Sequence, residues 1–334
     1  MRILIDKYIP FLQGVLDDFA EVCMLDPEQF TPNAVHDADA LIVRTRTRCD
    51  AALLEGSLVR FIATATIGTD HIDHDYCRSR NIRVVSCPGC NAQAVCDYIE
   101  EALNESSNLQ ILKSSNLQIF KYSNTQIFKS SNLQIFKSSN TPTIGVVGVG
   151  CVGSLVAKMA ERRGLQVVLN DPPLGLNGDV TACDIITFHT PLTTAGAYPT
   201  YHLCDAAFLS RCKPDVLIIN TARGGVVDEQ ALLDSGQPFV IDTWEGEPHI
   251  NPEVLSRATL ASMHIAGYSI EGKRNASRMC LDALCQHFAL PALALNSDQL
   301  PQGDNNPGWL KRISDALKQN PEAFEQLRKE YKLR

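Results

Sequence analysis

The sequence predicts an α/β protein with two parallel-sheet domains and a small helical C-terminal appendage. In two separate stretches of chain, apolar segments of strand length alternate with segments of helix length, which is the pattern of parallel α/β sheets. A chain of 334 residues also exceeds the usual size of one compact domain. After about residue 290, a linker rich in Pro, Gly and Asn leads into a charged amphipathic pattern that predicts helix.

The first stretch covers residues 1–103 and carries four apolar segments that predict strands, at 3–5, 40–44, 61–66 and 82–86. The opening segment, MRILIDKYIP, has a charge within its apolar run and no small-residue cleavage site, so it predicts a first strand and not a signal peptide. No run of 18 apolar residues occurs. These features predict a cytoplasmic protein without a membrane partner.

Charge and cysteine usage limit the classes of partner. The formal net charge of −8 argues against nucleic acid or an anionic membrane surface. Twelve cysteines in a long chain without an export signal are expected to be reduced thiols, many of them buried.

An octapeptide repeat interrupts the chain between the two α/β stretches. Units such as SSNLQILK and SSNLQIFK recur from Ser106 to Asn140, within a segment assigned to 104–142. Eight residues are too few for a solenoid unit. The favoured interpretation is a duplicated insert without functional content, and the alternative is an interaction arm.

The second stretch, residues 143–266, predicts six apolar strands and the nucleotide site. Gly148, Gly150 and Gly153 form a G-x-G-x-x-G that follows an apolar strand and precedes a helical run. In that context the glycines permit a tight turn, a close approach to a pyrophosphate and close packing of helix on strand. The arrangement predicts a Rossmann-like domain.

Asp171 ends the next strand, about 18 residues beyond Gly153. A carboxylate there can accept hydrogen bonds from ribose hydroxyls and would repel a 2′-phosphate. The expected cofactor is therefore NAD and not NADP.

Three ionisable residues each follow a predicted strand of this domain, namely Arg223, Glu247 and His264. Since the carboxyl ends of parallel strands meet at one edge, we expect these side chains to converge. Oxidation of a 2-hydroxy acid needs this set: a histidine that takes the hydroxyl proton, a carboxylate that orients it and an arginine that holds the substrate carboxylate. Any one of them alone would more often be structural.

With the motifs GVVGVGCVGS, NTARGGVVD, DTWEGEP and HIAGY, the chain resembles the D-isomer-specific 2-hydroxy acid dehydrogenase family. The strings GTDHID, CPGCNA, DPP and HIAGYSIEGK favour a subfamily that acts on a small phosphorylated hydroxy acid. The resemblance covers about 1–103 and 143–290.

The resemblance implies a role for each matching residue. His264 would transfer the proton, with Glu247 as its partner and Arg223 as the carboxylate anchor. The remaining residues would bind the cofactor NAD (Asp171, Thr190, Asp242 and Gly267) or the substrate (Thr45, Thr66 and Tyr268).

The resemblance also implies the architecture. Two doubly wound domains would face each other across a cleft: a substrate or lid domain made of 1–103 plus about 267–290, and an NAD domain at 143–266. The tail, 291–334, would support a homodimer.

Two functional alternatives remain at this point. One is another member of the family, acting on phosphoglycerate or hydroxypyruvate. The other is a non-catalytic NAD-sensing scaffold, against which the intact Arg223, Glu247 and His264 argue.

Three further patterns are weighed against structural interpretations. The pair Cys87 and Cys90 forms a C-x-x-C, but no second pair lies at zinc-site spacing, so a turn is favoured. The run 70–75 is rich in Asp and His, yet it predicts a turn and a helix cap, and no metal is expected. In the basic run after the second predicted strand, Arg44 or Arg46 is a candidate to hold a substrate phosphate.

Overall fold

A computed structural model describes residues 1–108, 141–297, 300 and 303–334. The chain divides into two compact units. The first contains Met1–Asn91 and Tyr268–Gln302, with Leu333, and the second contains Ala92–Gly267 and Gly303–Lys332, with Arg334. Most of the predicted insert at 104–142 lies outside the described residues.

The first unit is built on a five-stranded parallel sheet in the order β2-β1-β3-β4-β5. Its strands are β1 (Arg2–Asp6), β2 (Glu21–Leu25), β3 (Ala40–Val43), β4 (Phe61–Thr64) and β5 (Arg83–Val85). The four predicted strands are confirmed. The prediction missed β2, an edge strand whose residues are all partly or fully exposed and whose sequence is therefore less apolar.

Both faces of this sheet are covered, as a parallel sheet requires. Ile3 and Ile5 pack into one apolar cluster together with residues of the helix Ile270–His287, while Leu4 belongs to a second cluster on the other face. The helices of the unit are α1 (Pro32–Val35), α2 (Ala51–Leu54), α3 (His74–Ser79) and α9 (Ile270–His287).

The second unit is built on a seven-stranded sheet in the order β12-β11-β10-β9-β6-β7-β8. Its strands are β6 (Thr143–Val147), β7 (Gln166–Asp171), β8 (Leu176–Asn177), β9 (Ile185–Phe188), β10 (Leu217–Asn220), β11 (Phe239–Ile241) and β12 (Leu260–Ala261). The six predicted strands are confirmed, and all six are parallel. The prediction missed β8, a two-residue strand antiparallel to β7 that is too short to leave a pattern.

The strand order reverses between β6 and β9, which are neighbours although β7 and β8 come between them in the chain. At such a point the connections leave in opposite directions and open a crevice outside the carboxyl ends of the strands. This crevice is where the sequence motifs place the nucleotide site.

The second unit includes the helix Ala92–Asn108, which the sequence assigned in part to the first domain. This helix packs on the helices Cys151–Arg162 and Trp309–Gln319, and for this reason its residues group with the second unit. The helices are α4 (Ala92–Asn108), α5 (Cys151–Arg162), α6 (Ala206–Ser210), α7 (Glu229–Ser235), α8 (Pro252–Arg257), α10 (Trp309–Gln319) and α11 (Phe324–Glu330).

The predicted helical appendage is present and packs on its own unit. Trp309 of α10 lies edge-on against Tyr98 of α4, with ring centroids 5.8 Å apart. The Ser314 hydroxyl accepts a hydrogen bond from the Ala261 amide of β12 at 3.0 Å. The expected role of the tail in a homodimer stays a prediction. None of the described helices is long and apolar enough to cross a membrane.

Candidate active site

The glycine turn after β6 has the geometry that the sequence predicts. Gly148 adopts φ +85°, and a Cβ on it would lie 2.9 Å from the backbone of His189 and Thr190. A Cβ on Gly153 would lie 2.0 Å from the Gly148 carbonyl oxygen, so α5 packs on the turn only because this residue has no side chain. A Cβ on Gly150, the N-cap of α5, would meet nothing within 4 Å. The turn therefore leaves room beside the N-terminus of α5, where backbone N–H groups favour an anionic ligand.

Asp171 and Thr190 flank this turn. The Asp171 carboxylate accepts a hydrogen bond from the Val149 amide at 2.7 Å, which ties the end of β7 to the glycine turn. The Thr190 hydroxyl is buried and has no hydrogen-bond partner among the residues that the structure describes. Buried polar atoms are normally paired, so this hydroxyl indicates a ligand that supplies the partner. Both residues, with the three glycines, fit a dinucleotide.

Two further buried hydroxyls, which the sequence analysis missed, lie just after strands of this sheet, as that of Thr190 does. Thr221 follows β10 and Thr243 follows β11, and neither hydroxyl has a partner within the described parts of the chain. The available signal was their placement, one or two residues after apolar strands at the same sheet edge.

His189 lies next to Thr190 in the chain. Burial lowers the pKa of His189 to about 3, so this imidazole is neutral.

Asp242 is almost fully buried and accepts three hydrogen bonds. Its carboxylate accepts hydrogen bonds from the Ser262 hydroxyl at 2.6 Å and from the amides of Ile265 and Ala266 at 2.8 and 3.0 Å. These contacts fix the turn between His264 and Gly267. The predicted contacts of Asp242 and Gly267 with NAD remain predictions.

His264 and Glu247 form the pair that the sequence predicts. The Nδ1 atom of His264 lies 2.9 Å from Oε2 of Glu247, and the side chains are 33% and 19% exposed. The other Glu247 oxygen accepts the Trp244 amide at 2.9 Å. Burial alone would raise the pKa of the Glu247 carboxyl. The hydrogen bond and charge of His264, together with the hydrogen bond from the Trp244 amide, outweigh burial. The pKa of Glu247 therefore lies below its usual value.

An ionised Glu247 accepts hydrogen bonds only, so it selects the His264 tautomer that carries its proton on Nδ1. The Nε2 atom then has a lone pair and can accept a proton from a substrate. His264 itself adopts φ +59°, and its amide donates to the Asp242 carbonyl at 2.9 Å. A left-handed conformation at a non-glycine residue, held by a buried neighbour, is typical of functional sites.

Arg223 lies on the turn after β10, next to the turn that carries Glu247. The Asn220 side chain donates to the Arg223 carbonyl at 3.1 Å and so shapes this turn. A Cβ on Gly224 would lie 1.9 Å from the Trp244 carbonyl oxygen, which shows how closely the two turns approach. The structure thus brings together His264 and Glu247 directly and the Arg223 backbone nearby, while the Arg223 guanidinium donates to its own neighbour, Ala222, at 2.7 Å.

The three predicted substrate residues belong to the first unit. Thr45 is exposed in the loop after β3. The Thr66 hydroxyl lies 2.7 Å from that of Thr64 and donates to the Gly68 carbonyl at 2.9 Å. The Lys273 ammonium of α9 lies over the Tyr268 ring, 5.2 Å from its centroid. Their contact with substrate stays a prediction.

The phosphate candidate Arg44 has a structural partner. Its guanidinium binds the carboxylate of Asp6 through two hydrogen bonds, of 2.8 and 3.1 Å, and Asp6 is fully buried. A buried carboxylate balances the charge of Arg44 and fixes its orientation.

The C-x-x-C pair has a structural place in the first unit. Cys87 and Cys90 are buried, and the Cys87 sulfur lies 3.5 Å from that of Cys280 in the core. All twelve cysteines are free thiols, as expected.

The Asp- and His-rich run is also used structurally. Asp73 caps α3 by accepting the Tyr76 amide, as predicted, and His74 contacts Thr69.

A glycine turn at a sheet reversal and a carboxylate-bound imidazole at the same edge of that sheet are together typical of a dinucleotide-dependent dehydrogenase. Residues 118–266 match the family model of the D-isomer specific 2-hydroxyacid dehydrogenase, NAD binding domain. An erythronate-4-phosphate dehydrogenase of Bacteroides fragilis is 42% identical over 100% of this chain and 97% of its own length. The enzyme of that name from Porphyromonas gingivalis is 39% identical over 87% and 76%.

Among solved structures, a Thermus thermophilus protein superposes with a TM-score of 0.64 at 25% identity, covering 88% of this chain and 100% of that one. The chain therefore belongs to the D-isomer specific 2-hydroxyacid dehydrogenases, and within them to the erythronate-4-phosphate dehydrogenase family. Its cofactor is NAD.

Proposed function

We propose that this chain oxidises erythronate 4-phosphate to 2-oxo-3-hydroxy-4-phosphobutanoate, a step of pyridoxal phosphate (vitamin B6) biosynthesis. The 2.9 Å contact between His264 and Glu247, at the edge of the sheet that carries the glycine turn, is the observation that supports it best. Two relatives that are 42% and 41% identical to this chain bear the name of this activity.

In the proposed reaction, Nε2 of His264 accepts the proton of the substrate hydroxyl. Glu247 stabilises the imidazolium that forms and keeps the ring oriented. NAD, when held at the glycine turn and the end of β7, would supply the acceptor for the hydride that leaves carbon 2. Arg223 turns from the Ala222 carbonyl toward the substrate carboxylate, because a guanidinium binds a carboxylate through two parallel hydrogen bonds.

The cofactor residues of the proposal are Gly148, Gly150, Gly153, Asp171, Thr190, Asp242 and Gly267. Thr45, Thr66 and Tyr268 bind the substrate in it, and the protein acts in the cytoplasm as a homodimer. The unpaired Thr190 hydroxyl and the space beside Gly150 support the cofactor assignments.

The test is NAD reduction by purified protein with erythronate 4-phosphate, 3-phosphoglycerate and glycerate, with the His264→Asn variant as control. We expect kcat/KM for erythronate 4-phosphate to exceed the others by at least about 100-fold, since a site that binds a particular set of polar groups rejects analogues strongly. His264→Asn should lower kcat by about 10²–10⁴-fold, the usual value of a general base, while the Kd for NAD stays unchanged.

A preference for 3-phosphoglycerate would contradict the substrate assignment alone. Full activity of His264→Asn would contradict the mechanism whatever the substrate.

A further inference from the structure

A group of ionisable side chains surrounds the turn that carries Glu247 and has no role in the reaction described above. Glu229, the first residue of α7, is only 7% exposed, and its carboxylate accepts the Glu245 amide at 2.7 Å. Glu245 lies two residues before Glu247, and the Trp244 amide just before it binds the Glu247 carboxylate. Glu229 therefore holds the second residue of the four-residue turn 244–247, whose last side chain orients His264.

The side chains around Glu229 link this turn to the turn of Arg223. Nε2 of His202 lies 2.9 Å from the Glu245 carboxylate, and its Nδ1 lies 3.4 Å from that of Asp228, which caps α7. The His202 amide donates to the Gly225 carbonyl, two residues after Arg223, at 2.7 Å. The network thus contacts both turns that bear the proposed catalytic residues.

We propose that Glu229 is a positioning residue for the His264–Glu247 pair, acting through the backbone of the 244–247 turn and through its own charge beside Glu247. The inference rests on the proposed roles of His264 and Glu247. An ionised Glu229 adds a negative charge that stabilises the His264 imidazolium, whereas a protonated Glu229 still accepts the Glu245 amide.

The charges that face Glu229 are mostly negative. Asp228 lies beside it, and Glu245 and Glu247 face it from the turn after β11. Burial, with these three carboxylates, raises the pKa of Glu229 to about 7, so its charge changes near neutral pH.

The arginines of the helices packed on α7 lie elsewhere. Arg211, after α6, stacks over Phe208, and Arg257 of α8 lies near Gly236, at the opposite end of α7. His202 is the remaining basic group of the network, and it contacts Glu245 and Asp228 and not Glu229 itself.

The test compares Glu229→Gln, Glu229→Ala and the control Glu253→Gln. Glu253 is an exposed glutamate in the first turn of α8, so the control makes the same change in the first turn of another helix of the same unit. Three quantities are measured for each protein: the pH profile of kcat/KM, amide hydrogen exchange of residues 244–247, and the Kd for NAD.

Glu229→Gln keeps an oxygen that can accept the Glu245 amide but removes the charge. We expect exchange at 244–247 to match the wild type, while the acid limb of kcat/KM moves down by about 0.5 pH unit, because the imidazolium of His264 loses a nearby negative charge. Glu229→Ala should raise exchange at 244–247 at least about tenfold and lower kcat about tenfold, with the Kd for NAD unchanged. The control should match the wild type throughout.

Wild-type exchange at 244–247 in Glu229→Ala would overturn the proposal, and so would an unshifted acid limb in Glu229→Gln. If Glu229→Ala does not fold, the shift in Glu229→Gln decides the outcome alone. Failure of the proposed function would appear separately, as activity retained by His264→Asn, while hydrogen exchange would still report whether Glu229 holds the turn.

Discussion

Two threonines, one in each unit, lie just beyond a strand of a buried parallel sheet, and their hydroxyls are in opposite situations. The Thr66 hydroxyl follows β4 and is bound on both sides, by the Thr64 hydroxyl and the Gly68 carbonyl. The Thr190 hydroxyl follows β9 and has no partner in the described structure. The second unit therefore keeps hydrogen-bonding capacity for a ligand at its sheet edge, while Thr66 is already fixed within its own unit.

The charged pairs of the two units differ in the same way. Asp6 is fully buried and binds Arg44 through two hydrogen bonds, an arrangement that stabilises a structure. The pair of Glu247 and His264 is partly exposed and has one contact, through Nδ1, so the other ring nitrogen can react. A basic group next to a carboxylate is thus structural in one unit and catalytic in the proposed mechanism of the other.

The largest effects that distinguish a structural from a ligand-binding basic side chain are expected from substitution of the arginines after β3. Arg44→Ala should lower the free energy of unfolding by about 2–3 kcal/mol, because the buried Asp6 carboxylate would lose its charged partner and keep only the Tyr8 amide. Arg46→Ala should raise KM for erythronate 4-phosphate about tenfold, through loss of a charge-assisted contact to phosphate. Thermal unfolding measures the change in stability, and steady-state kinetics measures the change in KM.

Arg48→Ala is the matched control, since Arg48 is exposed on the same loop and pairs with Asp50. It should change neither quantity. If Arg46→Ala raised KM equally for erythronate 4-phosphate and for unphosphorylated erythronate, the phosphate would not be what Arg46 binds.

Smaller effects are expected from the two threonines. Thr190→Val removes a buried hydroxyl that has no partner, so it should stabilise the protein without NAD by about 1 kcal/mol and weaken NAD binding several-fold. Thr66→Val breaks two hydrogen bonds and should destabilise by about 1–2 kcal/mol without changing the Kd for NAD. Thermal unfolding with and without NAD distinguishes the two variants.

Destabilisation by Thr190→Val in the absence of NAD would mean that its hydroxyl has a partner within the protein. The two units would then not differ in the hydrogen-bonding capacity of these threonines.

The sequence was sufficient to predict the glycine turn, because two of its positions have no room for a side chain. Gly148 and Gly153 occupy positions that a side chain could not, and this appears directly as a pattern of letters. The pairing of His264 with Glu247 followed from their positions after β12 and β11, adjacent parallel strands. Strands with buried, β-branched residues were also predictable, because they appear in the sequence as short apolar segments.

What the sequence did not predict depends on contacts between distant residues. The bonds of Asp6 to Arg44 and of Glu229 to the Glu245 amide join segments whose approach the fold alone determines. The substrate residues carry no pattern comparable to the glycine turn, so Thr45, Thr66 and Tyr268 came only from the family resemblance.

The central claim is that Glu247 holds the proton of His264 on Nδ1 and leaves Nε2 as the base. The direct measurement is ¹⁵N NMR of the histidine ring nitrogens, with the His264 signals assigned by their loss in His264→Asn. At a pH where the ring is neutral, we expect a protonated Nδ1 and an unprotonated Nε2 in the wild-type protein, and a mixture of tautomers in Glu247→Gln. A proton on Nε2 in the wild-type protein would contradict it.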